Sequence, residues 1–284
     1  MIKRLSILLL LVTVAQVGYS QSFYSVRRDR SLLLMAGVNT STYYGDLKDN
    51  ADILDVKPSL SLGLMYYVSK RIGVRGEFSW VTLSGSDANS KEEGRKLRNL
   101  SFTSGNYEFN VSGVINLIPQ GGRFYQRPQF NLYAFAGVGG LYFNPKAELD
   151  GQKYALQPLQ TEGVDYSRFT FIVPYGLGGK VKVSPFFNLA VEAGWRKAFT
   201  DYIDDVSTRY VDNASFTDPV AQKLADRRTE VGLPLAKAGA KRGGSSKDDA
   251  YMLFSARIEY YLPYQFGAGN KRLYRSKRRG IYHR

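Results

Sequence analysis

Eight charged side chains interrupt stretches that are otherwise apolar at every second position: Arg75, Glu77, Glu108, Lys180, Glu192, Arg196, Arg257 and Glu259. Carboxylates and cations in this pattern have three chemical uses. They can exchange protons with a substrate, line an ion-selective pore, or pair with one another and fill an interior. Four are basic and four acidic, so opposite charges brought to one face should neutralise each other, which favours the third use. Proton-transfer chemistry most often recruits histidine, and the chain has one, His283, its penultimate residue. No segment combines a histidine with a serine and an acid, and the absence of cysteine removes thiol chemistry and disulfides.

Two other groupings invite chemistry. Asp201, Asp204, Asp205 and Asp212 open the longest polar stretch, but their spacing is not the D-x-D-x-D-G of a calcium loop, and they read as solvated loop acids. Gly137, Gly139 and Gly140, and again Gly176, Gly178 and Gly179, are dense enough for a phosphate loop. Such a loop needs a helix N-terminus to aim its amides, whereas here a strand pattern continues on both sides. Glycines in that setting relieve crowding where strands bend. Gly239 to Gly244 lacks the Walker spacing and reads as a flexible loop.

The elements that must position these groups are strands. From Tyr251 to Leu262 the apolar set Met252, Phe254, Ala256, Ile258 and Tyr260 alternates with Ser255, Arg257 and Glu259. The same period of two recurs near 31–43, 58–68, 72–84, 102–118, 129–143, 169–184, 187–201 and 250–264. In the first and fifth of these both faces are apolar or small, and no face is assigned. Short connections near 69–71, 120–127 and 184–185 alternate with long ones over 46–57, 85–100, 144–168 and 202–249. This layout predicts an all-β fold, an eight-stranded antiparallel transmembrane β-barrel with short periplasmic turns and long extracellular loops. Lipid would solvate the apolar face and the lumen would take the polar one. Eight strands enclose room for side chains only, so the eight charges should plug the lumen rather than conduct. Tyr43, Tyr44, Trp80, Tyr142, Phe143 and Trp195 at the loop-side ends should form one interfacial girdle. Tyr66, Tyr67, Phe186, Phe187, Tyr260, Tyr261 and Tyr264 should form the other. Barrel enzymes that modify lipids or cleave peptides lose their usual base here, because the one histidine is remote from every strand end.

Composition agrees: aromatic residues make up 14 % of the chain, with 21 tyrosines, at a mean hydropathy of −0.28. Lys3 and Arg4 precede an apolar run to Val17, which predicts a signal peptide over residues 1–20, a barrel over 21–264 and a basic periplasmic tail over 265–284. The formal charge is +14. Much of it belongs to that tail, where Lys271, Arg272, Arg275, Lys277, Arg278 and Arg279 stand without an acid. Such a patch is either a solvated extension or, after export, a dock for an acidic periplasmic partner or membrane surface, and not for nucleic acid. No cofactor or metal is expected.

Several segments at strand ends resemble one Bacteroidetes barrel family: Tyr43-Tyr44-Gly45-Asp46-Leu47, Gly85 to Ser90, Arg98 to Phe102, and Leu141 to Ala147. This is the PorG-like family of the type IX secretion system, associated with gliding motility and protein export. The resemblance covers about residues 31–264. It implies a non-enzymatic outer-membrane subunit, surrounded by outer-membrane lipids, that docks a periplasmic ring of PorK and PorN type, with no catalytic residues to carry over. The alternative is a stand-alone OmpA-like barrel for envelope structure or adhesion.

Overall fold

The computed structural model describes residues 30–48, 56–121, 124–244 and 248–263; the expected signal peptide and basic tail lie outside them. Ten strands are found among these residues: β1 (Leu32–Tyr44), β2 (Lys57–Tyr67), β3 (Ile72–Ser86), β4 (Ser101–Asn116), β5 (Phe130–Tyr142), β6 (Pro145–Leu149), β7 (Gln152–Ala155), β8 (Phe169–Lys182), β9 (Phe187–Ala198) and β10 (Ala250–Tyr261). Eight of them close into an antiparallel barrel in the order β3-β2-β1-β10-β9-β8-β5-β4, with β4 pairing back onto β3. Closure leaves the barrel no free edge, so its strands pair on both sides; the β5–β8 ladder is interrupted where Gly137 and Val138 pass Val173 and Pro174.

The wall is inside-out relative to a water-soluble domain. Phe109 is 58 % exposed and Leu177 69 %, while Glu108 and Arg196 are essentially fully buried. The two strands whose faces the alternation left open are also resolved. In β1, Leu33 and Met35 point inward and Leu34 and Val38 outward; in β5, Tyr133 and Phe135 point inward and Leu132 and Val138 outward. Glycine makes room for the inward rings: a Cβ on Gly178 would overlap the ring of Tyr133.

The expected aromatic girdles need correction. Tyr43, Phe143, Tyr67 and Tyr261 are buried rather than interfacial. The pairs Tyr43-Tyr44, Tyr66-Tyr67 and Tyr260-Tyr261 each straddle a strand, and consecutive strand residues face opposite sides, so only one ring of each pair can reach the lipid boundary. Phe143 follows β5 and packs under the loops. Tyr264 is outside the described residues. Trp80, Tyr142 and Phe187 do face outward.

The long connections carry structure of their own. The 144–168 segment forms the β6–β7 hairpin, which extends from β4 through Thr103 and Ser104. The 85–100 segment carries a short helix, α1 (Glu93–Arg98), and the last loop carries another, α2 (Pro219–Ala225), capped by the side chain of Asp218. Together with the strand ends they enclose an apolar core that includes Leu47, Phe102, Phe143, Ile203, Val206 and Leu224. The loop side of the barrel is therefore roofed by a packed cap. A second apolar cluster of Leu33, Met35, Met65, Val114, Phe135 and Tyr261 fills the turn side of the lumen.

Candidate functional site

All eight lumen charges are buried, some of them within the apolar layers themselves: Lys180 lies against Tyr67 and Tyr133 of the turn-side cluster and Glu108 against Tyr251 of the loop-side one. In the barrel order β3 and β9 are diametrically opposite, so a contact between them spans the bore. Arg75 on β3 makes that contact, its Nη1 donating to Glu192 Oε2 on β9 at 2.6 Å. Arg257 on β10 reaches the same carboxylate at 3.0 Å and Glu77 on β3 at 2.5 Å. Arg75 Nε completes the circuit 3.6 Å from Glu77. Two cations and two anions thus alternate in a four-membered ring across the middle of the lumen. Tyr133 donates to Glu192 at 3.0 Å, and the Arg75 guanidinium lies over the Phe135 ring at 4.4 Å.

A second pair sits toward the cap, with Arg196 Nε 3.5 Å from Glu108. The Glu108 carboxylate also accepts from Tyr251 at 2.9 Å and Asn110 at 2.8 Å. Lys180 and Glu259 are not brought together. Lys180 donates to the Tyr67 hydroxyl at 2.7 Å, and Glu259 accepts from Asn188 at 2.8 Å, whose own oxygen accepts from Arg127 at 2.8 Å. Tyr67, Tyr133, Tyr251, Asn110 and Asn188 are thus working members of the network that a search for charges passes over. The signal that finds them is parity, since each occupies an inward position of its strand.

The cap holds the other polar network. Glu162 accepts from Ser207 N at 3.0 Å, Thr208 N at 2.8 Å and Arg242 Nη1 at 2.9 Å. Asp205 accepts from Thr161 and from Tyr166, the latter at 2.6 Å. Asp204 takes Leu47 N at 3.2 Å and Val206 N at 2.9 Å; Asp249 takes Tyr43 at 2.5 Å and Ile203 N at 2.9 Å. Asp204 and Asp205 are buried, which corrects their reading as solvated loop acids, and Arg242 is buried too, which corrects the reading of 239–244 as flexible. The reason is common to both: a cap with its own core must bury backbone amides, and short acids are what satisfy them. Burial raises the pKa of Asp205 to about 6, with Arg242 opposing it, and that of Asp201 to about 7. It also lifts Asp204, with Asp46 adding to the effect, and Asp249, with Asp204 adding, well above the usual carboxylate range. Asp212 caps a turn by accepting from Ala214 N. Among the described residues no three His, Cys, Asp or Glu are grouped to hold a metal ion.

The four strand-end segments noted in the sequence converge at the floor of this cap. Arg98 donates to the Asp46 carbonyl at 2.9 Å and to both oxygens of Asp87 at 2.7 Å. Tyr43 packs edge-on against Phe102 at 5.0 Å, and Phe143 stacks on Tyr166 at 6.3 Å.

The family described as outer membrane protein beta-barrel domain matches residues 6–218 of the 284. The chain belongs to that family. Solved barrels similar to it include Neisserial surface protein A, at 8 % identity with 81 % of this chain and 97 % of that one covered and a TM-score of 0.41. The attachment invasion locus protein Ail of Yersinia pestis, solved with the heparin analogue sucrose octasulfate, is 12 % identical over 82 % of this chain and 99 % of its own, with a TM-score of 0.39. OprG of Pseudomonas aeruginosa is 12 % identical over 83 % and 97 %, with a TM-score of 0.40. No curated protein matches the sequence. This outer-membrane barrel thus carries buried polar groups along its lumen, with the four-charge ring at the middle, and in its cap.

Proposed function

We propose that this outer-membrane barrel neither catalyses nor conducts, and that it works through its outer surfaces as an accessory of the type IX protein secretion machinery, docking periplasmic ring components of PorK and PorN type. The observation that carries the first half is the Arg75–Glu192–Arg257–Glu77 ring, which spans the lumen between two apolar layers. A lumen filled in this way has no path for solute and no open cleft for substrate. The second half rests on the family resemblance of the strand-end segments. In this reading the short turns and the tail from Gln265 face the periplasm and meet the ring.

Pull-down from outer membranes tests it. The full chain should bring down the periplasmic ring proteins, and a chain ending at Tyr264 should lose them. If deleting the protein leaves export of type IX cargo intact, the secretion role is wrong and the second reading takes its place. That reading, a stand-alone structural or adhesion barrel, is favoured by the folded cap, because the resemblance segments support the loop side rather than the turn side.

A further inference from the structure

The last loop carries a short ribbon in which 208–211 runs antiparallel to 239–243. Thr208 O accepts from Arg242 N at 3.0 Å, Tyr210 N donates to Ala240 O at 2.9 Å, and Tyr210 O accepts from Gly239 N at 2.8 Å. Alternation turns the backbone groups of Arg209 and Val211 to the outer edge, and the amide and carbonyl of both are without a hydrogen bond among the described residues. A cleft of about 550 Å³ is lined by 208–211 together with Glu162, Lys241, Gly243 and Gly244. This free edge is cationic. Arg209 and Lys241 face each other in the ribbon. The bonds that flank them make theirs a non-hydrogen-bonded pair, with side chains on one face and Cα atoms about 4.5 Å apart. Like charges so placed repel. Both residues are exposed, Arg209 Nη1 is held by Gly239 O at 2.8 Å, and neither makes an ion pair among the described residues. The one acid lining the cleft, Glu162, is buried and already accepts from Ser207 N, Thr208 N, Thr208 Oγ1 and Arg242.

We infer that this edge binds an extended acidic peptide, which adds a strand beside 208–211 and sets its carboxylates against Arg209 and Lys241. Backbone pairing to Arg209 and Val211 supplies affinity. Selectivity comes from alternate side chains of the incoming strand, because every second one falls on the face that holds the two cations. The same charges select against a second copy of this chain, whose edge would bring Arg209 and Lys241 against their own kind. An anionic glycan finds less here, since the one ring lining the cleft, Tyr210, is buried and offers no face to a sugar. The site stands at the opposite end of the barrel from the turns proposed to meet the ring, so its failure leaves that reading untouched.

The test uses the full chain in detergent micelles and the fluorescence anisotropy of labelled hexapeptides blocked at both ends. One alternates threonine with glutamate, a second alternates threonine with glutamine, and a third is the glutamate peptide with every amide N-methylated. The parent should bind the glutamate peptide and hold the glutamine peptide about fivefold more weakly, the worth of two exposed ion pairs. R209Q/K241Q should bring the two to equal affinity. Val211→Pro removes an edge donor with both cations in place, and it should weaken binding about tenfold, as should N-methylation of the peptide. Heat-modified migration on gels verifies that each variant is folded. Saturating glutamate peptide should also slow hydrogen exchange at the amides of Arg209 and Val211. Equal binding of the glutamate and glutamine peptides by the parent overturns the inference, as does indifference to N-methylation or binding that leaves both amides unprotected. Capture of an oligogalacturonate with every peptide unbound would overturn it in favour of an anionic glycan, and failure to bind any of these probes would mean that the two cations only guard the edge.

Discussion

Replacing Glu192 by Gln removes one negative charge from the lumen ring and changes almost nothing else in shape. In the parent the carboxylate faces Arg75 at 2.6 Å and Arg257 at 3.0 Å and is 1 % exposed. Without its charge the ring holds two guanidinium groups against Glu77 alone, a net positive charge enclosed between two apolar layers. Breaking a buried ion pair by removing one partner costs about 3–5 kcal/mol. The amide oxygen of Gln still accepts a hydrogen bond, so the expected loss lies near the lower end, about 3 kcal/mol. Arg257→Met removes the opposite charge and should cost a similar amount for the mirror-image reason. In the double variant Arg75 and Glu77 remain, 3.6 Å apart and neutral together. The double loss should therefore fall short of the summed single losses by about 2 kcal/mol or more. Urea unfolding of the refolded chain in lipid vesicles measures all four proteins through the fluorescence of Trp80 and Trp195. Single losses within about 0.5 kcal/mol of zero, together with simple additivity, would mean that water screens these charges. The lumen would then be open to water rather than sealed.

The remaining predictions concern the other layers. Replacing Arg75, Glu77, Glu192 and Arg257 together by Ala should still give no ion conductance in planar bilayers, because the two apolar clusters block the lumen independently; steady single-channel currents would contradict this. The cap should be tighter at pH 5 than at pH 8. Asp205 and Asp201 hold their protons more strongly folded, to about 6 and about 7, than in the unfolded chain, so their contribution is full at low pH and is lost as pH rises through those values. Hydrogen exchange over 202–249, corrected for the intrinsic rate, should show protection falling across that window, and protection rising with pH would refute the burial of these acids. Gly137→Ala would drive a Cβ into the carbonyl of Val111 on β4 and should destabilise the barrel by about 1–3 kcal/mol, read from the same urea titration.

All eight barrel strands were legible, each end within a few residues of its observed position, and in six of them the period of two that lipid and lumen enforce also showed the faces; β1 and β5, apolar or small on both sides, showed none. The lumen charges were legible for the same reason. The identity of their partners was not, since a sequence shows parity but not which strand stands across the bore. Lys180 and Glu259 illustrate the difference: both face inward as their parity requires, yet they bond to Tyr67 and Asn188 rather than to opposite charges. The cap was illegible for a different reason. Its core draws a few residues from each of several loops, irregularly spaced, such as Leu47, Leu149, Ile203 and Leu224, so no single loop carries a periodic signal. Its acids looked solvated because local polarity does not reveal that other loops will cover them.

What the cap adds is a reason for the strand-end segments that carry the family resemblance. Arg98 ties Asp46 to Asp87, and so joins three of the connections on the loop side when Arg242 O, a fourth acceptor of the same guanidinium, is counted. A single cation thereby fixes the positions of the β1–β2, β3–β4 and β9–β10 loops relative to one another. Loops held this way lose little entropy when a partner binds and present one surface instead of an ensemble. Burying acids whose deprotonation is penalised also lowers stability at neutral pH, and a fold retains such a cost where it fixes geometry. The lumen ring acts in the same direction from below, locking β3 to β9 and β10. Both networks thus brace the barrel, one across the lumen and one over its loop side.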